Sequence, residues 1–366
     1  MNVAFIGAFT GVGGIQRTTA IVASSLAKAH RIFYIDYRSD GAFRYPLDDD
    51  IHIYEVATLA NKGSLMSLKD KLHQKYTTEI TQIIKILESC YIDIAIFCGS
   101  FCTAMISLIK KQNNNIKIVA WQRNTYEQYV GRFIEKYREE YFAGISLADT
   151  IVCLTNFDIQ GFSSLNPNTI CINNPLGITH NKKFKENEKR FIFVGRAAIE
   201  QKGLDLLIKS FEDINNVEWS LSIIVDRLDK PLEEMVRNAR KTSNITLKYD
   251  SNDEELIENY CSGSVFIMTS RWEGFGMTLV EAMSFGLPII ATPTVGAKEV
   301  LLDGKYGLIT RSFSIEDITD AMRKFIENKE IRNHYSQQSL IRVKDMMPSK
   351  IILHWEKLFN DIVKWS

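Results

Sequence analysis

Two glutamates, Glu273 and Glu281, stand eight positions apart in "SRWEGFGMTLVEAMSFG" (residues 270–286), around a Gly-Phe-Gly turn at the start of a helical pattern. Gly274 and Gly276 carry no side chain, so the backbone there can approach a ligand closely and present its N–H groups. Free N–H groups and the helix dipole favour an anion, above all a phosphate. A carboxylate in the loop and a second about one turn inside the helix accept hydrogen bonds from neutral hydroxyls, and one aimed at a ribose diol can take both. Sugar hydroxyls together with a diphosphate describe a nucleotide sugar. The residues alone leave a plainer reading open, in which the dipole favours Glu281 as a first-turn acid and Glu273 caps the helix.

A second segment, "FIFVGRAAIEQKGLD", sets Arg196 just after an apolar strand pattern and Lys202 before a helix. Ligands of open parallel sheets bind beyond the carboxyl ends of strands. Two cations at such a place can flank a diphosphate and stabilise charge on the departing phosphate as a glycosidic bond breaks. The alternative is a pair of solvated surface charges. The Gly-rich loop "GAFTGVGGIQRTT" has Gln16 where a dinucleotide fingerprint needs glycine, and it lacks the Gly-Lys-Ser/Thr of a phosphate-binding loop. NAD and ATP are therefore poorly supported, and the loop can also be a tight turn without a ligand. Asp48-Asp49-Asp50 has the look of a metal-binding Asp-x-Asp, yet it precedes a short strand and reads as a solvated turn.

These groups need elements to hold them. A chain of 366 residues outgrows one hydrophobic core, and 45% hydrophobic content fills two. The first half alternates strand and helix: "NVAFIGA", the helix "IQRTTAIVASSLAKA", "RIFYIDY", then "DIAIFC", "KIVAW", "TIVCLT" and "TICIN", with helical segments such as 65–89 between. Residues 173–190, polar and containing Pro175 and Gly177, read as a linker. A second series follows, with strands "FIFVGR", "WSLSIIV", "ITLKY", "SVFIMTS" and "PIIAT" and helices between them. The pattern is that of two doubly wound α/β domains. After Pro348, "IILHWEKLFNDIVKW" is amphipathic and suited to fold back across them.

Composition narrows the function. With 44 basic and 44 acidic residues the net charge is zero, which argues against a nucleic-acid partner. The six cysteines form no CxxC pair and sit mostly in apolar runs, as reduced thiols of a cytosolic protein do. No signal peptide and no apolar run of about 18 residues is found, so a soluble or peripheral protein is expected. Lys69, Lys71, Lys75, Lys110 and Lys111 give the first domain a basic, partly apolar character that suits an acceptor on a lipid carrier, or simply a solvated helix face.

Gly195-Arg196, Lys202-Gly203, and Glu273 with seven residues before Glu281, framed by "EAMSFGLPIIAT" and "GAKEVLLDGKYGLI", make the chain resemble the retaining glycosyltransferases of family 4. The resemblance spans the chain and is most specific in its second half. It implies the GT-B fold: two Rossmann-like doubly wound domains facing across a cleft. Residues 1–175 would bind the acceptor, 176–345 the nucleotide sugar, and 346–366 would form a C-terminal helix crossing back onto the first domain. Glu273, Arg196 and Lys202 would be catalytic. Glu281 would hold the ribose, Gly274, Phe275, Gly276, Met277 and Thr278 would line the donor, and Gly13 and Gly14 would lie near its diphosphate. Arg17, Gln122 and Arg123 would meet the acceptor. The resemblance implies no metal and no cofactor, the nucleotide sugar being a substrate and UDP the expected nucleotide. The implied reaction moves a hexose or N-acetylhexosamine to a saccharide, polyprenyl-diphosphate- or lipid-linked, in bacterial surface polysaccharide synthesis at the inner face of the plasma membrane.

The chain departs from that pattern in places. Arg196 and Lys202 are one residue further apart than usual. "AWQRNTYEQY" has no histidine where many members carry one, and Tyr249 stands near the expected base where glycine is commoner. His180, in the linker, reads as a surface residue. A retaining transfer on one face of the sugar needs no protein base, since the departing phosphate oxygen can take the acceptor's proton. A nucleotide-sugar epimerase on the same scaffold and a non-catalytic binding module are the alternatives; the intact set of Glu, Gly and cations argues against the latter.

Overall fold

The computed structural model describes residues 1–11, 13–37, 43–56, 72–113, 115–184, 188–239, 243–249 and 252–364. The chain forms two compact units, Met1–Pro175 with Pro348–Ser366, and Leu176–Met347. In the first, seven strands run in the order β3-β2-β1-β4-β5-β6-β7. They are β1 (Asn2–Gly7), β2 (Arg31–Asp36), β3 (His52–Glu55), β4 (Ile94–Cys98), β5 (Lys117–Trp121), β6 (Thr150–Cys153) and β7 (Thr169–Cys171). The second holds β8 (Arg190–Gly195), β9 (Ser220–Val225), β10 (Ile245–Tyr249), β11 (Val265–Met268), β12 (Ile289–Ala291) and β13 (Leu308–Ile309). Its order is β10-β9-β8-β11-β12-β13.

Every strand pairing in both sheets is parallel. Helices cover both faces of such sheets, which is why the inner strands are continuous apolar runs. Val3 to Ile6 of β1 and Val265 to Ile267 of β11 are fully buried. In each sheet the winding reverses beside the first strand, between β1 and β4 and between β8 and β11. A crevice opens at the carboxyl ends of such strands. The segments after β1, β8 and β11 are those that carry Gly13 and Gly14, Arg196, and Glu273.

The C-terminal helix, Pro348–Lys364, belongs to the first unit. It buries Ile351, Trp355, Leu358, Phe359 and Ile362, a stripe at helical spacing. Trp355 meets Trp121 edge-on with ring centroids 4.8 Å apart. His30 Nε2 lies 2.9 Å from Glu356 Oε2, and its ring stands edge-on to Phe359.

Lys69, Lys71 and the first residues of the expected 65–89 helix lie outside the described residues, whereas Leu72–Lys75 and Thr77–Ser89 are helical. Lys110 departs from a solvated or lipid-facing role: its ammonium donates to Asp149 Oδ2 at 2.8 Å and to the Ile116 carbonyl at 3.0 Å. Asp48 and Asp50 form a turn in which the Asp50 N–H donates to Asp48 Oδ1. All six cysteines are unbridged. Burial pushes the Cys98 thiol up to about 12, which keeps it protonated. No described helix is long and apolar enough to cross a membrane.

Candidate functional site

β8 ends at Gly195, and the chain turns through Arg196 into a short helix, Ile199–Lys202. Asp226, next after β9, holds that turn by accepting the Ala197 N–H at 2.8 Å. Arg196 is exposed and donates to Gln201 Oε1. Lys202 is 7% exposed, and its ammonium donates to Glu273 Oε2 at 2.7 Å. The Ser270 hydroxyl donates to the same oxygen at 3.1 Å. A residue after β8 and one after β11 thus meet across 71 positions of sequence.

Backbone geometry sets this contact. Gly203 follows Lys202 at φ +62°, and a Cβ there would fall 2.0 Å from the Thr269 carbonyl oxygen. The Thr269 hydroxyl in turn sits 3.0 Å from the carbonyls of both Lys202 and Gly203. Gly203→Ala is expected to destabilise the second unit by about 2–3 kcal/mol, from lost left-handed freedom and overpacking. Chemical denaturation followed by circular dichroism checks this.

A second clamp escaped the sequence reading. Arg271 donates from Nη1 and Nη2 to Asp205 Oδ1 and Oδ2 at 2.7 and 2.6 Å. It also donates to the Glu200 carbonyl, and its own N–H to that of Gln201. Burial alone would raise Asp205, but the Arg271 hydrogen bond and charge outweigh it and hold the carboxyl below its usual range. This bidentate pair ties the loop bearing Glu273 to the loop bearing Lys202. Only the order of residues flags it: Asp205 opens the helix Leu204–Ile214 and Arg271 stands two before Glu273.

Gly276, at φ +87°, precedes the helix Met277–Ser284, whose amino end has no side-chain cap and no acidic residue in its first turn. Glu273 therefore does not cap this helix; its carboxylate turns to Lys202 and Ser270. Phe275 is buried, while Gly274, Met277 and Thr278 are partly exposed. Glu281 lies one turn inside, 6% exposed, and accepts the Tyr260 hydroxyl at 2.9 Å. Tyr260 stacks on Phe285 with centroids 5.0 Å apart. His180 corrects the expectation of a surface residue: its ring lies flat on Phe285 at 3.6 Å, and its Nε2 is 2.7 Å from the Ser284 hydroxyl. Burial holds its pKa below the usual histidine value. Tyr249 is exposed at the end of β10, and its hydroxyl donates to Glu233.

In the first unit, Gly13 and Gly14 begin the helix Gly14–Leu26, and the Arg17 guanidinium lies 4.9 Å from the Tyr45 ring centroid. Gln122, expected to meet an acceptor, is 0% exposed. Its amide donates to the Thr103 hydroxyl and accepts the Tyr141 hydroxyl, each at 3.0 Å. With both ends of the amide satisfied inside the unit, Gln122 braces the end of β5. Arg123 is 8% exposed and stacks over Trp121, 3.9 Å from its centroid.

Residues 178–340, which contain Arg196, Lys202, Glu273 and Glu281, match the family model described as glycosyl transferases group 1. An uncharacterized glycosyltransferase of Haemophilus influenzae is 26% identical over 368 residues, covering 96% of this chain and 98% of its own length. Among solved structures, the apo form of the lipopolysaccharide outer core galactosyltransferase WaaB superposes with a TM-score of 0.75 over 99% of each chain at 18% identity. HepE of Anabaena, in complex with UDP and glucose, does so with a TM-score of 0.73 over 98% of this chain and 99% of that one, at 14% identity. The fold is thus GT-B, as the two switch-point sheets define it. The family match and the full-length relative support a glycosyltransferase.

Proposed function

We propose that the chain is a retaining glycosyltransferase of family 4 that moves a hexose or N-acetylhexosamine from a UDP-sugar to a saccharide hydroxyl. The observation that carries this is the Lys202–Glu273 contact of 2.7 Å beside a helix amino end left uncapped by any side chain. An ammonium has three donors, so Lys202 can keep Glu273 while offering the others to a diphosphate. Arg196, on the same loop, adds a second, exposed cation. Glu273 keeps Oε1 for a hydroxyl of the donor sugar, and the amides opening the helix Met277–Ser284 face the phosphates.

In the reaction, the bond from C1 of the sugar to the phosphate oxygen breaks while the acceptor oxygen bonds C1 on the same face. The acceptor's proton passes to the departing phosphate oxygen and UDP leaves. Charge develops on that phosphate, where Lys202 and Arg196 stand, so the protein's cations supply the neutralisation a metal would otherwise give. UDP is favoured by the nucleotide bound to HepE. An acceptor in surface polysaccharide synthesis is favoured by the lipopolysaccharide outer core named for WaaB; a lipid link on that acceptor and a place at the inner face of the plasma membrane belong to the same proposal.

A thermal-shift panel of UDP-, GDP- and ADP-sugars tests the donor, since a ligand that binds only the folded state raises Tm. Only UDP-sugars are expected to shift it; a shift with NAD alone would overturn the reading. Donor incubated by itself is expected to stay unisomerised, which separates transfer from epimerisation. Tyr260→Phe removes the hydroxyl that orients Glu281 and is expected to raise the donor KM about 3–10-fold, the worth of one hydrogen bond, with kcat unchanged.

A further inference from the structure

His180, in the linker, is tied to the carboxyl end of the helix that carries Glu281. Its ring lies on Phe285, the residue that follows the helix Met277–Ser284, with the two planes 1° apart. Its Nε2 stands 2.7 Å from the Ser284 hydroxyl. That hydroxyl gives its proton to the Glu281 carbonyl at 2.6 Å, so the imidazole is the donor in its contact with Ser284. The tautomer follows: Nε2 carries the hydrogen, and the buried Nδ1 does not. Burial lowers the pKa against a weaker opposing pull from the Lys182 backbone, which leaves the ring neutral at neutral pH. Further along the linker the Phe184 N–H donates to the Phe285 carbonyl at 3.2 Å. The linker thus holds Phe285 by its ring and by its backbone.

Two routes lead from this hold to Glu281. One passes through the Ser284 hydroxyl to the Glu281 carbonyl. The other passes through Phe285, which also stacks on Tyr260 with the planes 18° apart, and the Tyr260 hydroxyl donates to Glu281 Oε2 at 2.9 Å. Tyr260 belongs to another helix, Asp253–Cys261. Tyr260 and Phe285 are both fully buried, and in a close-packed interior one ring cannot shift without the other. An apolar side chain would cover Phe285 as well as an imidazole does. What the imidazole adds is a donor aimed at the hydroxyl that bonds the Glu281 backbone. One route fixes the main chain of Glu281 and the other its carboxylate.

We infer that His180 is a positioning residue for nucleotide binding: through Ser284, and through Phe285 and Tyr260, it sets the direction in which Glu281 presents its carboxylate to a ribose diol. The inference rests on the proposed sugar-nucleotide reading, in which Glu281 takes that diol. His180 itself touches no substrate in it, and every residue involved belongs to the second unit.

Affinity for UDP and for 2′-deoxy-UDP is measured by titration calorimetry on the full chain, for wild type, His180→Ala, His180→Phe and His180→Gln, and for His180→Ala combined with Glu281→Gln. His180→Ala is expected to weaken UDP about 3–10-fold, the worth of one hydrogen bond, and the deoxy ligand less than about twofold, so that the preference for ribose shrinks. His180→Phe keeps the stack without the donor, and His180→Gln offers an amide N–H to Ser284 without the ring; each is expected to fall between wild type and His180→Ala. Added to Glu281→Gln, His180→Ala should cost less than about twofold more, because the charge it orients is already gone. In turnover the loss should appear in the donor KM, with kcat unchanged. A loosened fold would instead weaken both ligands alike and act equally with or without the Glu281 charge, and either result overturns the inference. Wild type that prefers ribose while His180→Ala prefers it equally well sinks the inference alone. Wild type that binds both ligands equally removes Glu281 from the ribose, and that assignment falls together with the inference. If wild type binds neither, the UDP reading falls, and the comparison is made with whichever of GDP and ADP raises Tm, since they carry the same diol; if none binds, the nucleotide reading and the inference fall together.

Discussion

Replacing Lys202 with methionine is expected to slow sugar transfer by about 10²–10³-fold, the scale seen when one preorganised donor to a developing oxyanion is lost. Methionine keeps an unbranched apolar stem in the slot that the lysine chain fills, so the loss isolates the charge. Glu273 retains the Ser270 hydroxyl, and the Arg271–Asp205 clamp still holds the two loops together. Tm is therefore expected to move much less than activity. Because charge gathers on the phosphate mainly as the bond to C1 breaks, the fall should appear in kcat, with a smaller rise in the donor KM. Arg196→Met provides the internal comparison. Arg196 is exposed and screened by water, so its loss should cost closer to tenfold. UDP release measured over a range of donor concentrations reads both parameters; a Lys202→Met enzyme with wild-type kcat would remove the lysine from the chemistry.

How much of this could be read before the structure follows from the range of each interaction. Strands such as "VAFI" and "VFIM" were readable because burial on both faces demands unbroken apolar runs. Arg196 and Glu273 could be placed together because a doubly wound sheet brings its strand ends to one edge, whatever the intervening sequence. The Lys202–Glu273 contact is then a matter of reach. Partner choice among polar side chains was not readable. Arg271 finds Asp205 across 66 positions and Tyr260 finds Glu281 across 21, and neither pairing leaves a period or a spacing in the sequence. Gln122 misled for a related reason: an amide one residue past a strand end can face a ligand or the interior, and only Thr103 and Tyr141, brought by other helices, decide between them. His180 shows the same limit, since the ring it lies on, Phe285, is set by the far end of another helix. Arg123, expected to meet an acceptor, lies over Trp121 and donates to the Thr18 hydroxyl, and no spacing in the sequence signals that packing.

Glu281→Gln is expected to raise the donor KM by about 10–100-fold with kcat little changed, the worth of hydrogen bonds to a charged acceptor. The amide preserves shape, and its oxygen can still accept the Tyr260 hydroxyl. What it loses is charge, and in the proposed donor complex its NH2 faces a ribose diol that itself needs acceptors. A ribose held remote from C1 is gripped equally before and during bond breaking, so the loss falls on binding rather than on turnover. A donor made with 2′-deoxyuridine separates this from general damage to the helix Met277–Ser284. Wild-type enzyme should bind the deoxy donor more weakly than the ribo donor, whereas Glu281→Gln should hardly distinguish them, because the partner of the missing hydroxyl is already gone. If the variant instead keeps its KM and loses kcat, Glu281 contacts the reacting sugar and not the ribose, and the donor must lie in the opposite sense along the carboxyl ends of β8 and β11.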